Sequence, residues 1–358
     1  MGSQAPPEFP YVGKITGDVF QRIILPNLGR PDPSVIVPPR NGVDAGTIRV
    51  APGTVLTVTT DPFFIVPAYG WRRAAWFAVH ILASDAATTG IAPRYLSVDL
   101  NLPLAMTVEE FTQMWEAVHR ECDRLGIAVV AGHTARYHGT DYPMVGGATM
   151  MGLGPEEALV TPSLARPGDA VLVTKGAAIE ASALCAVSFP RRTARALGSA
   201  TAEAGDALFD SMTVVEDCLT AVRAGTGDRG VTSMHDATEG GVLGGLVEVA
   251  VASGLGLRAE RERIPIRPEV EEICREFGMD PWSAISEGTL ILTCRPEKAA
   301  TILDLWREAG IEAAAVGELT PAGSPPVLTA GGVDHPLVHP RVDPFWEAFA
   351  RAMARGDG

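Results

Sequence analysis

The run Val231-Thr-Ser-Met-His-Asp-Ala-Thr-Glu-Gly-Gly-Val-Leu-Gly-Gly-Leu246 passes from a short apolar strand through His235 and Asp236 into paired glycines that open a helix. Such a junction suits a phosphate and a divalent cation. The free N–H groups of a helix N-terminus point at an anion, glycines at 240 and 241 let it approach the main chain, and Asp236 offers Mg²⁺ a hard oxygen. The same letters also describe an ordinary strand-to-helix turn with an Asp near the N-cap. The rest of the chain has to decide between the two.

Working outward, the second half reads as alternating elements. A strand at 170–174 leads through Lys175-Gly-Ala-Ala-Ile-Glu180 into an alanine-rich helix, and helical periodicity covers about 201–224. After the opening run come a helix at 268–277, a strand at 289–294, a helix at 296–309, a strand at 313–317 and a last helix at 344–354. Upstream, Thr54 to Thr60 is a β-branched strand ending at Asp61, and a long helix spans 71–87, stopped near Gly90 and Pro93. A strand at 95–100 precedes a helix with a Thr107–Glu110 capping box and the apolar set Phe111, Met114, Trp115, Val118, Cys122 and Leu125. A buried strand at 127–131 ends in Gly132-His133-Thr134, and a further strand spans 144–153. Pro155, Pro162 and Pro167 punctuate a linker, so the expected domains are 1–158 and 159–358, both mixed α/β; residues 1 to about 40 are a proline-rich arm.

At 358 residues and 46% hydrophobic, the chain can bury two cores. A formal charge of −14 argues against nucleic acid or an anionic membrane as partner. The five cysteines are scattered, with no C-x-x-C, and read as reduced core thiols. The N-terminus lacks a charged, apolar export signal, and charge or glycine interrupts every apolar stretch, so a soluble cytoplasmic protein is expected.

Three more aspartates sit where elements break: Asp44 in Asn41-Gly-Val-Asp-Ala45, Asp61 in Thr59-Thr-Asp61, and Asp85 in Ala83-Ser-Asp-Ala-Ala87. Carboxylates beside Thr or Ser oxygens can hold Mg²⁺ bridged to nucleotide phosphates. Singly, each is equally an Asp at a turn. There is no Walker A sequence and no G-x-G-x-x-G after a strand, so any ATP is held by carboxylates and glycine turns from both halves.

Taken in order, Gly13-Lys14, Gly42-Val-Asp44, Thr59-Thr-Asp61, Ser84-Asp85-Ala-Ala-Thr-Thr-Gly90, Gly132-His133-Thr134 and Asp236-Ala-Thr-Glu-Gly-Gly241 resemble the aminoimidazole ribonucleotide synthetase superfamily. The resemblance spans nearly the whole chain. The segments Val173-Thr-Lys-Gly176 to Glu180 and Ser286-Glu-Gly-Thr289 look most like its hydrogenase-maturation dehydratase branch. It implies a two-domain α/β, PurM-like fold, a homodimer formed through the N-terminal domains, and ATP in a cleft between domains. It further implies a small-molecule substrate phosphorylated on an amide- or thioamide-type oxygen, with release of ADP and phosphate.

Residue by residue, the resemblance implies that Asp44, Asp61, Asp85 and Asp236 bind Mg²⁺. Thr60, Ser84, Asp85, Gly132, Thr134, Thr238, Gly240 and Gly241 would hold the nucleotide. Lys14, His133 and His235 are the catalytic candidates, and Arg136 is a candidate for binding an anionic substrate. The residues themselves allow other readings: Lys14 as a solvated surface lysine, His133 as a backbone-bonded histidine at a strand end, Arg136 as a loop cap.

Three departures narrow the expectation. The chain ends Arg351-Ala-Met-Ala-Arg-Gly-Asp-Gly358 without the terminal cysteine that carries the maturation dehydratase's substrate. No cysteine stands beside Lys14, as selenophosphate synthetase requires, and His133 replaces an aspartate of thiamine monophosphate kinase. A small-molecule kinase and a non-catalytic ATP-binding accessory protein are the alternatives.

Overall fold

The computed structural model describes residues 14–15, 17–340 and 342–356. A single helical turn, α1 (Gly17–Val19), and irregular turns to residue 27 lie on the surface with only Val19 buried. Then come β1 (Val35–Val37), β2 (Gly46–Ala51), β3 (Thr54–Phe64), α2 (Trp71–Ala87), β4 (Pro93–Leu102), α3 (Val108–Leu125), β5 (Ala128–Arg136) and β6 (Met144–Pro155). They form a six-stranded sheet in the order β1-β2-β3-β6-β4-β5. Only β4 and β5 pair in parallel, because α3 carries the chain over between them.

The β-branched run of β3 makes a strand of period two: Val55, Thr57, Thr59 and Phe63 are buried on the face that α2 covers. α2 is buried along most of its length because it lies between this sheet and the second half of the chain. α3 starts at the capping box: Thr107 accepts from the Glu110 amide at 3.2 Å and Glu110 accepts from the Thr107 amide at 2.8 Å.

The second half comprises β7 (Ala170–Thr174), α4 (Ile179–Ser188), α5 (Pro190–Leu197), α6 (Ser199–Ala207), α7 (Val215–Ala221), β8 (Val231–Asp236), α8 (Gly241–Ser253), β9 (Gly256–Glu260) and α9 (Pro268–Phe277). It continues with β10 (Leu290–Cys294), α10 (Ala299–Glu308), β11 (Ala313–Thr320), β12 (Val327–Ala330), β13 (Val333–Pro336) and α11 (Pro344–Ala354). Its seven-stranded sheet runs β13-β12-β9-β11-β7-β10-β8, antiparallel except for β12 with β9. β8 is an edge strand, yet all six of its residues are buried, since the first half covers it.

Three expectations change. The cores of the two halves are not separate: one apolar cluster joins Leu82, Leu96 and Met114 to Leu172, Met234, Leu292 and Trp306, while another, around Val173, Leu246 and Val316, is confined to the second half. The helix expected over 201–224 breaks between α6 and α7. At the break, Thr213 carbonyl accepts from Lys175 Nζ at 2.8 Å, its hydroxyl bonds His80 Nδ1 at 2.8 Å, and the Val214 amide donates to Ser84 Oγ at 3.0 Å. Finally, the strand expected to be buried at 127–131 is β5, the exposed sheet edge. It runs on through Gly132, His133 and Thr134 to Arg136. Among the described residues no helix is long and apolar enough to cross a membrane.

Candidate active site

The acidic residues meet where the β1–β2 loop, β3 and the end of α2 face β8 and α8. Gly42 makes the approach possible. It has φ +72°, and a Cβ there would lie 2.5 Å from the Glu248 carbonyl oxygen, so the loop packs directly on the α8 backbone. That seats Asp44 against β8: Oδ1 lies 2.8 Å from His235 Nδ1, and Oδ2 accepts from the Asp236 amide at 3.2 Å.

His235 is held at both ends, its Nε2 lying 2.9 Å from Glu248 Oε2. Burial opposes a charge on this ring, but Asp44 and Glu248 outweigh it and lift the pKa well above 6.5. Burial likewise opposes charge on Glu248, which the facing His235 and Lys14 nevertheless lower to about 2. His235 is therefore an imidazolium with no free nitrogen. It positions Asp44 and has no lone pair left to act as a base.

The remaining carboxylates repel. Asp85 is driven well above its usual range by burial and by Asp44, Asp61 and Asp236, although Thr59 Oγ1 lies 3.0 Å from its Oδ2. Burial also raises Asp61, and raises Asp236 to about 6. Glu287, in the turn before β10, is buried against Asp236 and pushed up further by it; Glu180 behind them rises to about 8, mainly through burial. Neither oxygen of Asp236 has a hydrogen-bond donor, nor does Glu287 Oε1. Asp236 and Glu287 face each other closely enough to share a proton, and a proton between them or a cation would relieve their repulsion.

Hard, buried, mutually repelling oxygens with no donors suit a divalent cation. No three His, Cys, Asp or Glu side chains among the described residues form a ready-made metal cage. A cation here would complete its shell with water or phosphate oxygens, as Mg²⁺ commonly does. Lys14 lies on an exposed stretch of chain within the electrostatic reach of this cluster. Burial opposes its charge, but Glu248, Asp85, Asp44 and Asp61 prevail and raise its pKa; its amide donates to both Glu239 carboxylate oxygens at 3.1 and 3.0 Å.

Lys14, Asp44, Asp61, Asp85, His235 and Asp236 thus converge, and the other sequence candidates do not join them in the same way. Thr60 faces the opposite side of β3, bonding Thr149 Oγ1 at 3.0 Å, and Thr59 takes the place beside Asp85. Ser84 spends its hydroxyl on Val214. The Gly240 amide donates to Asp343 Oδ2 at 2.8 Å, and Gly241 is a glycine because a Cβ would lie 2.6 Å from the Ala284 carbonyl oxygen. The Thr238 carbonyl accepts from the Gly241 amide.

Gly132, His133 and Thr134 lie on β5, three strands from β3, about 14 Å across the sheet. His133 Nε2 bonds Tyr137 Oη at 3.1 Å, and Arg136 caps the Leu104 carbonyl. Sequence reasoning passed over Thr59, Glu248, Glu287 and Asp343 as site residues. The available signals were a lone carboxylate, Glu248, in an otherwise apolar helix, and the strand phase that puts Thr59 on the side of Asp61.

Fold and site define a two-domain α/β enzyme with a largely buried acidic cluster between its halves. The chain belongs to the AIR synthase related protein family: residues 42–153 match its N-terminal domain and residues 166–327 its C-terminal domain. It is 26% identical over 292 residues to carbamoyl dehydratase HypE of Rhizobium leguminosarum bv. viciae, covering 78% of this chain and 77% of that one. Among solved structures, its fold resembles hydrogenase maturation protein HypE in complex with ATP (TM-score 0.63, 19% identity, 93% and 97% covered). It also resembles AaThiL complexed with AMPPCP and TMP (TM-score 0.65, 17% identity, 84% and 90% covered).

Proposed function

We propose that the protein is an ATP- and Mg²⁺-dependent enzyme that phosphorylates an amide- or thioamide-type oxygen and releases ADP and phosphate. The observation that carries this is the pair of buried, donorless oxygens of Asp236, facing Asp44, Asp61 and Asp85 from the other half. These four carboxylates would hold the cation, which supplies neutralisation of phosphate charge when bound. Lys14, whose charge the same carboxylates favour, is the candidate to steady the transferring phosphoryl group. His235, held from its other nitrogen by Glu248, keeps Asp44 fixed. The substrate oxygen forms a bond to the γ-phosphorus as the bond to ADP breaks; the substrate's own C–O bond then breaks, with phosphate leaving in place of oxide, as the amide nitrogen gives up its protons to form C≡N or an internal nucleophile takes the carbon.

The ATP complex of HypE supports the nucleotide, and the similarity to a carbamoyl dehydratase supports the amide class. The domains are taken as 1–158 and 159–358. A second copy of the chain is the proposed partner, through β5, whose Val129 and Val130 are 43% and 55% exposed. The likeness to AaThiL with AMPPCP and TMP favours one other reading, a kinase that leaves the phosphate on its product.

Incubation with ATP, Mg²⁺ and a panel of amides, thioamides and phosphate acceptors separates these, followed by ³¹P NMR. Free phosphate released in step with amide consumption supports the first reading, and a phosphorylated product supports the second. ATP binding with no turnover across the panel overturns both.

A further inference from the structure

A different kind of site lies at the other end of β8. A surface cleft of about 440 Å³ is lined by Val222, Arg223, Ala224, Gly225, Arg229 and Lys298. Three of the six side chains are cationic and none is acidic. Among the described residues, none of the three cations has an ion-pair or side-chain hydrogen-bond partner. Of the two acids adjacent in sequence, Asp228 is already engaged by Arg166 at 2.6 Å and by Arg295 at 3.2 Å, with Arg295 anchored on Asp169 at 2.6 Å, and Glu297, beside Lys298, is outside the cleft lining and pairs with none of the three cations among the described residues. In a chain of net charge −14, three cations gathered in a cleft with no acid in its lining make a local positive patch that attracts an anion.

The backbone that carries the cations is also fixed. Main-chain bonds link their three turns in series: Gly225 donates to Val222, Val231 to Gly225, Arg295 to Gly230, and Lys298 to Arg295, at 2.9 to 3.0 Å. Gly225 has φ +108°, and a Cβ on Gly230 would lie 2.1 Å from the Gly225 oxygen, so the loop is closed backbone against backbone. A second cleft, of about 410 Å³ beside Trp71 and Arg72, lacks this character: Glu116 lines it, and Arg73 is forked onto Asp206 at 2.8 and 2.6 Å.

We propose that the Arg223–Arg229–Lys298 cleft binds a compact phosphorylated anion, such as a diphosphate or a small phosphate ester. Two guanidinium forks and one ammonium match clustered phosphate oxygens, and the absence of an aromatic wall leaves nothing to stack a nucleobase. The site is separate from the acidic cluster, because β8 spans about 20 Å between the loop and Asp236.

The test is calorimetric titration of the full chain with inorganic pyrophosphate, Mg²⁺ in excess, with and without saturating AMPPCP. One equivalent should bind, saturating below about 1 mM, in both conditions. Arg229→Gln and Lys298→Gln should each weaken it by roughly tenfold while melting temperature and far-UV circular dichroism stay at wild-type values. Absence of saturable binding, binding abolished by AMPPCP, or unchanged affinity in the Arg223→Gln/Arg229→Gln/Lys298→Gln triple variant would overturn the proposal.

Discussion

His235 and Asp44 stand 191 residues apart in sequence and meet at 2.8 Å, so one imidazolium ties the first half of the chain to the second. Glu248 holds the other ring nitrogen at 2.9 Å, which makes the contact a buried three-member charge array. Removing the central member strands two carboxylates.

His235→Gln should therefore cost about 3–5 kcal/mol of stability at pH 6. The pH profile follows from the two shifts. His235 has a folded pKa well above 6.5, so its contribution is complete below 6.5 and fades as pH rises through the folded value. Glu248 is lowered from 4.5 to about 2, so its contribution is complete above 4.5 and fades as pH falls through about 2. The array should be strongest between 4.5 and 6.5. Urea unfolding of wild type and variant from pH 3 to pH 10 measures it; a difference independent of pH would mean the ring is uncharged.

Asp236→Asn should separate function from stability. Its carboxyl is raised to about 6 and has no donor, so in the absence of metal its charge opposes folding as pH climbs past 3.8. The amide removes that repulsion, and the metal-free protein should melt about 3 °C higher at pH 8. Mg²⁺-dependent ATP affinity, read by the thermal shift on adding both, should fall by at least about tenfold.

Gly42→Ala should lower stability by roughly 1–3 kcal/mol, since the residue combines a positive φ with a Cβ clash against Glu248. Because the loop would lift from α8, the pH dependence attributed to His235 should weaken too. Denaturant melts at pH 6 and pH 9 give both readouts.

Val130→Lys, on the exposed edge strand, should convert a dimer to a monomer without altering the far-UV circular dichroism. Light scattering at micromolar concentration is the measurement, and a monomeric wild type would remove the role assigned to β5.

Much of this architecture was legible because period and punctuation agree. β3 alternates, α3 carries a capping box and an apolar stripe, and the proline-rich stretch near 155–167 separates the two sheets. Short strands such as β1, β12 and β13 carried no such signal; they exist through the partners they pair with.

The site was half legible. Aspartates at element ends marked Asp44, Asp61, Asp85 and Asp236, but strand phase was overlooked at Thr60: with Asp61 facing the cluster, position 59 shares its side and position 60 cannot. The glycines at 240 and 241 read as a phosphate cradle, whereas one amide belongs to Asp343 and the other residue is small to admit the 282–284 backbone. Both partners come from distant sequence, where a local motif carries no information.

The apolar cluster that takes in both Leu82 and Trp306 means that neither half buries its whole apolar surface without the other, so core packing itself sets the carboxylates of the two halves against one another. The stretch at Lys14 is tied to the second half as well, by its own amide's bonds to Glu239.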